Sequence, residues 1–469
     1  MVMKRKSVLI IFTACAFSAQ AFAQGGGISA QMLQEIQKDQ KGCAKERVIA
    51  NAVYGMSIDA LAKNYRVAAQ PLDTHFSVET RKQSITDQKS SGRCWMFSGL
   101  NVLRSNYMAH ADSVSIEFSQ AYLFFWDQLE KANLMLQGVI DTAKKPIDDQ
   151  RVQFFFHSPI GDGGTFCGVA DLAPKYGLVP SEIMPESFTS ENTSKARSLV
   201  SSKLREFGLQ LRDMVAKKKS AADIQKAKTE MLSQIYHMLK ITLGAPVDKF
   251  TYAFHDKAGR QLGQAKEYTP LSFYQEVVGG DIKGTFIMVM NDPRREYYKT
   301  YEVEYDRHTY DGTNWCYLNL PMEEIEQLAI ASLKDGRKMY SSYDVGKLLD
   351  RKRGYASLDN FDYGSVFGTK FGMDKAQRIS TFDSGSTHAM TLTAVDLDAQ
   401  GKPIKWKVEN SWGATSGQQG CVIMTADWFR EYMFRLVVNK KYVSERLLKA
   451  YETKPVMVMP EDPLFLPDE

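Results

Sequence analysis

The sequence predicts an α+β protein, and two observations carry this prediction. Apolar residues recur at helical spacing after Trp95 and again in two runs between residues 194 and 243. Residues 250–320 instead alternate short apolar runs with turns, as strands do. A chain of 469 residues, of which 44% are hydrophobic, is long enough for a sizeable core and for two or three domains.

Residues 1–23 have the pattern of a secretory signal peptide. A basic start, a short apolar run and an Ala21-Phe22-Ala23 cleavage motif follow one another. The apolar run is shorter than the ~18 residues that a membrane span needs. The alternative is a lipoprotein with Cys15 as the lipidated residue. The sequence therefore predicts an exported protein, periplasmic or secreted, whose mature chain begins at Gln24.

Charge and cysteine content argue against several classes of function. The chain has a net charge of +4, of which the signal peptide supplies three, so the mature chain carries +1 and no basic surface for nucleic acid is indicated. Five cysteines remain after signal removal, without a C-x-x-C pair, so neither a zinc site nor a dense disulfide framework is expected. One disulfide among Cys43, Cys167, Cys316 and Cys421 is left open. We therefore expect no metal and no cofactor.

The stretch from Gln88 to Leu100 has the features of a nucleophilic site. Residues 90–92 are turn formers, and the helical pattern that follows places Cys94 in the first turn of a helix. A thiol at that position meets free backbone N–H groups and the positive end of the helix dipole, which favour the thiolate. Gln88 supplies an amide donor of the kind that an oxyanion hole requires. The alternative is a buried structural cysteine.

A predicted antiparallel hairpin supplies the matching base. Two β-rich stretches flank a turn centred near residue 399, so His388 and Asn410 lie at mirrored positions at its open end. A histidine held by an amide oxygen is the base-and-orienter half of a nucleophilic triad. The six remaining histidines have no comparable partner, and we expect them on the surface or satisfied in the core. They are His75, His110, His157, His237, His255 and His308.

Three further segments have predictable local structure. Residues 161–164 form a glycine-rich loop, which is either a plain turn or a place where a substrate backbone approaches closely. Two amphipathic helices are predicted at Ile28–Gln40 and Glu46–Ala62. A helical hairpin is predicted at residues 194–243, and Gly244 ends it.

Taken in chain order, these residues resemble a known family. Gln88, Cys94-Trp95, His388 and residues 410–413 (Asn-Ser-Trp-Gly) resemble the papain-type cysteine peptidases, whose triad is Cys-His-Asn. Longer stretches resemble, more narrowly, bleomycin hydrolase and bacterial aminopeptidase C. These stretches are residues 88–95, 162–164, 175–180, 184–187, 269–274, 291–294, 317–321, 344–346 and 387–390.

The chain also departs from ordinary papain. Ser91 stands where the usual signature has a second cysteine. Cys94 and His388 are 294 residues apart, against roughly 130–150 in the short enzymes. The resemblance implies that the extra length houses an inserted helical hairpin, as in the bleomycin hydrolase branch.

The resemblance implies a papain-like fold with a helical left domain, a β-barrel-like right domain, a large helical insertion and a C-terminal arm. The expected segments are a signal peptide (1–23), N-terminal leader helices (24–75), a helical half with the nucleophile (76–190), the inserted hairpin (191–249), a β-rich half (250–445) and the arm (446–469). The catalytic residues implied are Cys94, His388, Asn410 and Gln88. The substrate-binding residues implied are Gly163, Gly164, Trp412 and Glu469.

By the same resemblance, the protein is expected to be an exported aminopeptidase that acts on peptides through a thioester acyl-enzyme. In that branch the chain's own terminal carboxylate meets the free amine of the substrate, and six chains form a ring. The ending Pro467-Asp468-Glu469 differs from the usual small apolar ending, and the signal peptide differs from the cytoplasmic members. The alternatives are a papain-type endopeptidase and a non-catalytic peptide-binding protein.

Overall fold

A computed structural model describes residues 26–38, 44–111 and 113–465, so the predicted signal peptide, Cys43 and Glu469 lie outside the described residues. The helices are α1 (Ala30–Lys38), α2 (Ala44–Val53), α3 (Ile58–Ala62), α4 (Tyr65–Ala68), α5 (Cys94–Met108), α6 (Gln120–Asp141), α7 (Gln150–His157), α8 (Phe166–Tyr176), α9 (Phe188–Glu191), α10 (Ser194–Ala216), α11 (Ala221–Leu243), α12 (Pro270–Val277), α13 (Ile282–Thr285), α14 (Met322–Lys334), α15 (Tyr363–Phe367), α16 (Lys375–Ser380), α17 (Ala426–Tyr432) and α18 (Glu445–Tyr451).

The strands are β1 (Val78–Glu79), β2 (Val114–Ser115), β3 (Phe250–Asp256), β4 (Gln261–Tyr268), β5 (Phe286–Met290), β6 (Thr300–Val303), β7 (Cys316–Asn319), β8 (Met339–Tyr343), β9 (Leu349–Asp350), β10 (Tyr355–Ala356), β11 (His388–Leu397), β12 (Pro403–Glu409), β13 (Cys421–Thr425), β14 (Met433–Asn439) and β15 (Val456–Val458). The order β15-β6-β7-β5-β14-β8-β11-β12-β13-β10-β9 forms one mixed sheet, and β1 pairs with β11. β2, β3 and β4 form a separate sheet. The α+β prediction is confirmed.

The helical half packs around α5 and α6. α5 contacts both α8 and the central strand β11, and α10 and α11 pack on α6. The hairpin of α10 and α11 has the predicted limits, and Gly244 caps α11 with a φ of +95°. Its inner face includes the fully buried Leu204, Leu211 and Ile235. Each such side chain contributes roughly 1.5–3 kcal/mol of hydrophobic stabilisation.

The prediction of two N-terminal helices is only partly confirmed. The first is observed as α1, within the predicted range. The second, predicted as one helix over Glu46–Ala62, is two helices, α2 and α3, separated by residues 54–57, which include Gly55. A glycine weakens a helix and Ser57 caps α3 by accepting the N–H of Ala60, so the break has a local cause.

The β11–β12 hairpin is present, but its centre is shifted from the predicted one. Thr391 pairs with Glu409, whereas a mirror about residue 399 would pair it with residue 407. Register irregularities between Leu392 and Ala394 and between Asp396 and Leu397 cancel each other, so the hairpin is centred on residue 400. Extending the observed register places residue 388 opposite residue 412, so His388 reaches Asn410 diagonally across the hairpin.

The chain from β15 onward forms the C-terminal arm, here residues 456–465. β15 pairs in parallel with β6, and the backbone N–H of Glu304 donates to Val458 O at 2.9 Å. Leu464 is buried and Phe465 packs against the core. Among the described residues, no helix has the length and apolar character needed to cross a bilayer.

Candidate active site

The candidate nucleophile stands at the start of a buried helix. Cys94 is the first residue of α5, as the turn-then-helix pattern predicted, and it is partly exposed. Its Sγ accepts a hydrogen bond from the backbone N–H of Ala389 at 3.4 Å. The positive end of the α5 dipole at the first turn favours a thiolate there. The sulfur therefore lies beside the start of β11, whose first residue is His388.

The imidazole of His388 is oriented by Asn410. His388 Nε2 lies 2.8 Å from Asn410 Oδ1, which also accepts the backbone N–H of Ser411 at 2.8 Å. Because the Ser411 bond identifies the amide oxygen, His388 Nε2 carries the hydrogen and Nδ1 is left to accept a proton. The predicted pairing of these two residues is therefore observed.

Burial of His388 favours the neutral form of its imidazole. Burial lowers the pKa of His388 to about 4, although its hydrogen bond to Asn410 opposes this fall. A neutral imidazole can take a proton from a thiol. The thiolate formed at Cys94 would then raise the pKa of His388, because the opposite charge stabilises the imidazolium.

Trp412 covers one face of the His388 imidazole. The centroids of the Trp412 and His388 rings are 4.9 Å apart. The guanidinium carbon of Arg351 lies 5.2 Å from the Trp412 ring. The indole thus keeps water from one side of the imidazole. A direct contact between Trp412 and substrate stays a prediction.

Gln88 connects the nucleophile loop to the segment that carries Asn410. Its Oε1 accepts the hydroxyl of Ser411 at 2.5 Å, and its Nε2 donates to Ser91 O at 2.6 Å. The backbone N–H of Gln88 also donates to Ser411 O at 2.8 Å. The amide nitrogen of Gln88 carries two hydrogens. One is donated to Ser91 O, so the other remains available for a substrate oxyanion. The side chain is buried and held in place from both ends.

Arg93, which the sequence did not single out, fixes the turn before the nucleophile. Its guanidinium is fully buried, pairs with Glu186 at 2.8 Å and donates to Ser91 Oγ at 3.0 Å. It also lies 5.2 Å from the ring centroids of both Phe97 and Phe124. A buried arginine held by a carboxylate and two rings leaves the backbone at Cys94 little freedom.

The glycine-rich loop packs against the nucleophile's helix. The indole nitrogen of Trp95 donates to Asp162 O at 2.7 Å, and Lys131 Nζ donates to Gly163 O at 2.7 Å. A Cβ on Gly164 would lie 2.0 Å from His308 Cε1, so a side chain does not fit there. A Cβ on Gly163 would meet nothing within 4 Å. Gly164 thus serves internal packing, and substrate contact by either glycine stays a prediction.

His308 was predicted to have no partner comparable to the Asn410 that orients His388. For His308 this prediction was wrong, because Asp127 holds its ring. His308 Nδ1 lies 2.5 Å from Asp127 Oδ1, and its Nε2 accepts the N–H of Thr165 at 3.2 Å. The ring is buried and packs against Trp95, with centroids 4.4 Å apart. The expected satisfied core role is observed for His308. The partner is 181 residues away in sequence, and no local pattern indicates it.

The C-terminal arm passes the loop that leads into His388. A Cβ on Gly385, three residues before His388, would lie 3.9 Å from Pro463 O. Two hydrogen bonds hold that loop to β8 and to the residue that follows it. The hydroxyls of Ser342 and Ser386 lie 2.7 Å apart, and Ser384 Oγ donates to the carboxylate of Asp344 at 2.7 Å. Glu469 lies outside the described residues.

Comparisons with known proteins agree with this architecture. The profile described as "Peptidase C1-like family" matches residues 27–465. Aminopeptidase C of Streptococcus thermophilus is 37% identical over 424 residues, which cover 88% of this chain and 95% of the relative. Human bleomycin hydrolase is 38% identical over 400 residues, covering 83% of this chain and 87% of the relative.

A crystal structure of PepW from Lactobacillus rhamnosis superposes with a TM-score of 0.88 at 35% identity, covering 94% of this chain and 99% of that one. The family match spans nearly the whole chain, and the relatives are matched over most of their own lengths. The chain therefore belongs to the Peptidase C1-like family, as a cysteine peptidase with a papain-like fold in the branch of aminopeptidase C and bleomycin hydrolase.

Proposed function

We propose that this protein is an aminopeptidase that removes N-terminal residues from peptides through a thioester on Cys94. The position of the C-terminal arm carries the exopeptidase part of this proposal. The arm lies against Gly385, beside the loop that leads into His388. An arm in that place shortens one end of the cleft, so only a short stretch of substrate fits before the scissile bond.

The geometry of the site supports the following proposed catalytic cycle. His388 Nδ1 takes the thiol proton, and the sulfur of Cys94 attacks the carbonyl carbon of the first peptide bond. The Gln88 amide and the backbone N–H of Cys94 hold the resulting oxyanion, a contribution of about 10²–10³ in rate per donor. The C–N bond breaks as His388 protonates the leaving amine. Water, deprotonated by His388, then cleaves the thioester and returns the thiol.

Recognition of the substrate amine is assigned to the end of the chain. A free α-amino group is an ammonium in neutral solution, and it needs a carboxylate partner where water is excluded. Asp468 and Glu469 supply such carboxylates. Gly163, with open space on one face, is proposed to bind the substrate backbone.

A profile of free and blocked peptides tests this function. The intact protein is expected to cleave aminoacyl-fluorophore and free peptides and to leave N-acetylated peptides uncut. Deletion of residues 460–469 is expected to raise kcat/KM for the acetylated peptides by about tenfold or more, because the obstruction is removed. The deletion also removes the buried Leu464, worth roughly 1.5–3 kcal/mol, so the melting temperature is measured beside the rates.

Two outcomes of that profile would contradict the proposal. If the intact protein cleaves acetylated peptides as fast as free ones, it is an endopeptidase. If a thiol-directed epoxide leaves Cys94 unlabelled and no peptide is cut, it is a peptide-binding protein that has kept only the fold.

We further propose that the protein is exported and acts outside the cytoplasm. The basic, apolar and A-x-A regions of residues 1–23 support this proposal. The four described cysteines, Cys94, Cys167, Cys316 and Cys421, are all free thiols, so the described fold does not depend on a disulfide between them.

We propose that several copies assemble, as a hexamer by resemblance to the branch. The leader helix α1 supports assembly, because it buries none of its residues within its own chain. Met32, Leu33 and Ile36 lie on it and are about half exposed (50%, 45% and 46%). An amphipathic helix with an open apolar face is typical of a protein–protein contact.

One purification tests export and assembly together. Fractionation of the source cells is expected to recover the protein outside the cytoplasm, with Gln24 as the first residue by N-terminal sequencing. Light scattering on that material is expected to give six times the chain mass. A cytoplasmic protein that retains residue 1, or a monomer at micromolar concentration, would contradict the respective proposal.

A further inference from the structure

We propose that Asp292, Arg294, Arg295 and Asp462 form a clamp that holds the C-terminal arm in place and so determines the selectivity for free amino termini. We call these four residues the arm clamp. This inference rests on the proposed aminopeptidase function and adds to it the residues that fix the arm. None of the four belongs to the catalytic group at Cys94.

The clamp is built from two guanidiniums shared between two carboxylates. Arg294 Nη2 lies 2.7 Å from Asp462 Oδ1, and Arg295 Nη2 lies 2.8 Å from Asp462 Oδ2. The same guanidiniums bind Asp292, through Arg294 Nη2 at 2.8 Å and Arg295 Nη1 at 2.5 Å. Each oxygen of the arm's aspartate thus has its own arginine. Such two-point binding fixes direction as well as position.

The body-side half of the clamp is rigid. Asp292 is completely buried, and its backbone N–H donates to Asn319 Oδ1 at 2.8 Å. The Asn319 amide returns hydrogen bonds to Asp292 O at 3.0 Å and to Arg295 O at 3.1 Å. The arginines are therefore presented by a turn that cannot shift independently of β7, which carries Asn319.

The arm-side half is oriented by its own backbone. The N–H of Leu464 donates to Asp462 Oδ1 at 3.0 Å, which forms a local turn. Burial opposes ionisation of Asp462, but the hydrogen bonds from Arg294 and Arg295 outweigh it and hold its pKa below the usual range. The carboxylate is therefore charged throughout the neutral range, as the clamp requires.

The position of the clamp along the arm explains why it affects selectivity. Asp462 lies directly before Pro463, whose carbonyl oxygen lies next to Gly385, and it precedes the acidic residues Asp468 and Glu469. Without the clamp, the arm after Val458 is held to the body only by the apolar contacts of Leu464 and Phe465, which fix direction less strictly than the paired charges. A less strictly held arm lowers the effective concentration of its acidic residues at the cleft.

The Asp462→Asn variant tests the clamp, because it keeps the shape of the side chain and removes its charge. We expect its KM for a free peptide to rise about tenfold and its kcat/KM for the acetylated peptide to rise. Labelling of Cys94 by a thiol-directed epoxide is expected to stay complete. Asp462→Glu, which restores the charge, is expected to recover most of the selectivity.

Glu267→Gln is the matched control, because it removes a carboxylate from an exposed pair with Lys249 on the β3–β4 hairpin. It is expected to leave selectivity and KM unchanged. If deletion of residues 460–469 abolishes selectivity but Asp462→Asn does not change it, the clamp proposal is wrong and the aminopeptidase proposal stands. If the deletion itself leaves selectivity unchanged, the arm does not determine it and the clamp proposal is wrong, whereas the aminopeptidase proposal is decided by the intact protein's rates on free and acetylated peptides.

Discussion

Replacement of Cys94 by alanine is expected to lower kcat on aminoacyl-fluorophore substrates by at least about 10⁴-fold, because no other group can form the acyl-enzyme. The fold is expected to persist. Cys94 is partly exposed at the first position of α5, and neighbouring Arg93 and Trp95 keep their contacts with Glu186 and Asp162. Steady-state rates and epoxide labelling of the purified variant are the measurements.

Cys316→Ala is the matched control for that experiment. Burial raises the pKa of Cys316 to about 11, so its thiol stays protonated and unreactive at neutral pH. Loss of labelling is therefore expected in the Cys94 variant alone. If the Cys94→Ala variant keeps its turnover, Cys94 is not the nucleophile and the proposed mechanism is wrong.

Replacement of His388 by alanine is expected to lower kcat/KM by about 10³–10⁴-fold, because general base and general acid are both lost. Asn410→Ala is expected to have a smaller effect, since the base remains but its ring is no longer oriented. The exposed His157 provides the control, and His157→Ala is expected to retain full activity.

The pH profile of kcat/KM distinguishes the role of His388 as the base from the role of Asn410 as the residue that orients it. The hydrogen bond that His388 donates to Asn410 raises the pKa of His388 against the lowering caused by burial. Without it, the pKa of His388 falls further below about 4, so the imidazole stays a neutral base to lower pH. The acidic limb of kcat/KM in Asn410→Ala is therefore expected to move toward lower pH. A limb that moves to higher pH would contradict the assignment.

The hairpin of β11 and β12 shows what local sequence can and cannot predict. Alternating residues and a turn near residue 399 were enough to bring His388 and Asn410 together, and their 2.8 Å contact is observed. The exact register was not predictable, because the pairs Thr391–Glu409 and Leu397–Pro403 are symmetric about residue 400, and turn residues alone do not distinguish that centre from residue 399. The diagonal contact with Asn410, and the position of Trp412 opposite His388, follow from the one-residue shift of the hairpin centre from 399 to 400.

The sequence did not predict the contacts between segments that are distant along the chain. His308 and Asp127 lie 181 residues apart, and Arg294 and Asp462 lie 168 apart. Each partner looks like an ordinary surface charge or turn residue in its own neighbourhood, so only the folded chain reveals the pair. The α5 start at Cys94, by contrast, was predictable, because turn formers and an apolar helix follow each other directly.

The parallel pairing of β15 with β6 has a consequence for the solubility of the protein. β6 would otherwise present unpaired N–H and C=O groups at the margin of the large sheet, which is a template for aggregation with other chains. β15 covers that margin and is itself a poor template, since it has three residues and lies between Pro455 and Pro460. The tail of this peptidase thus also shields its sheet from unwanted association.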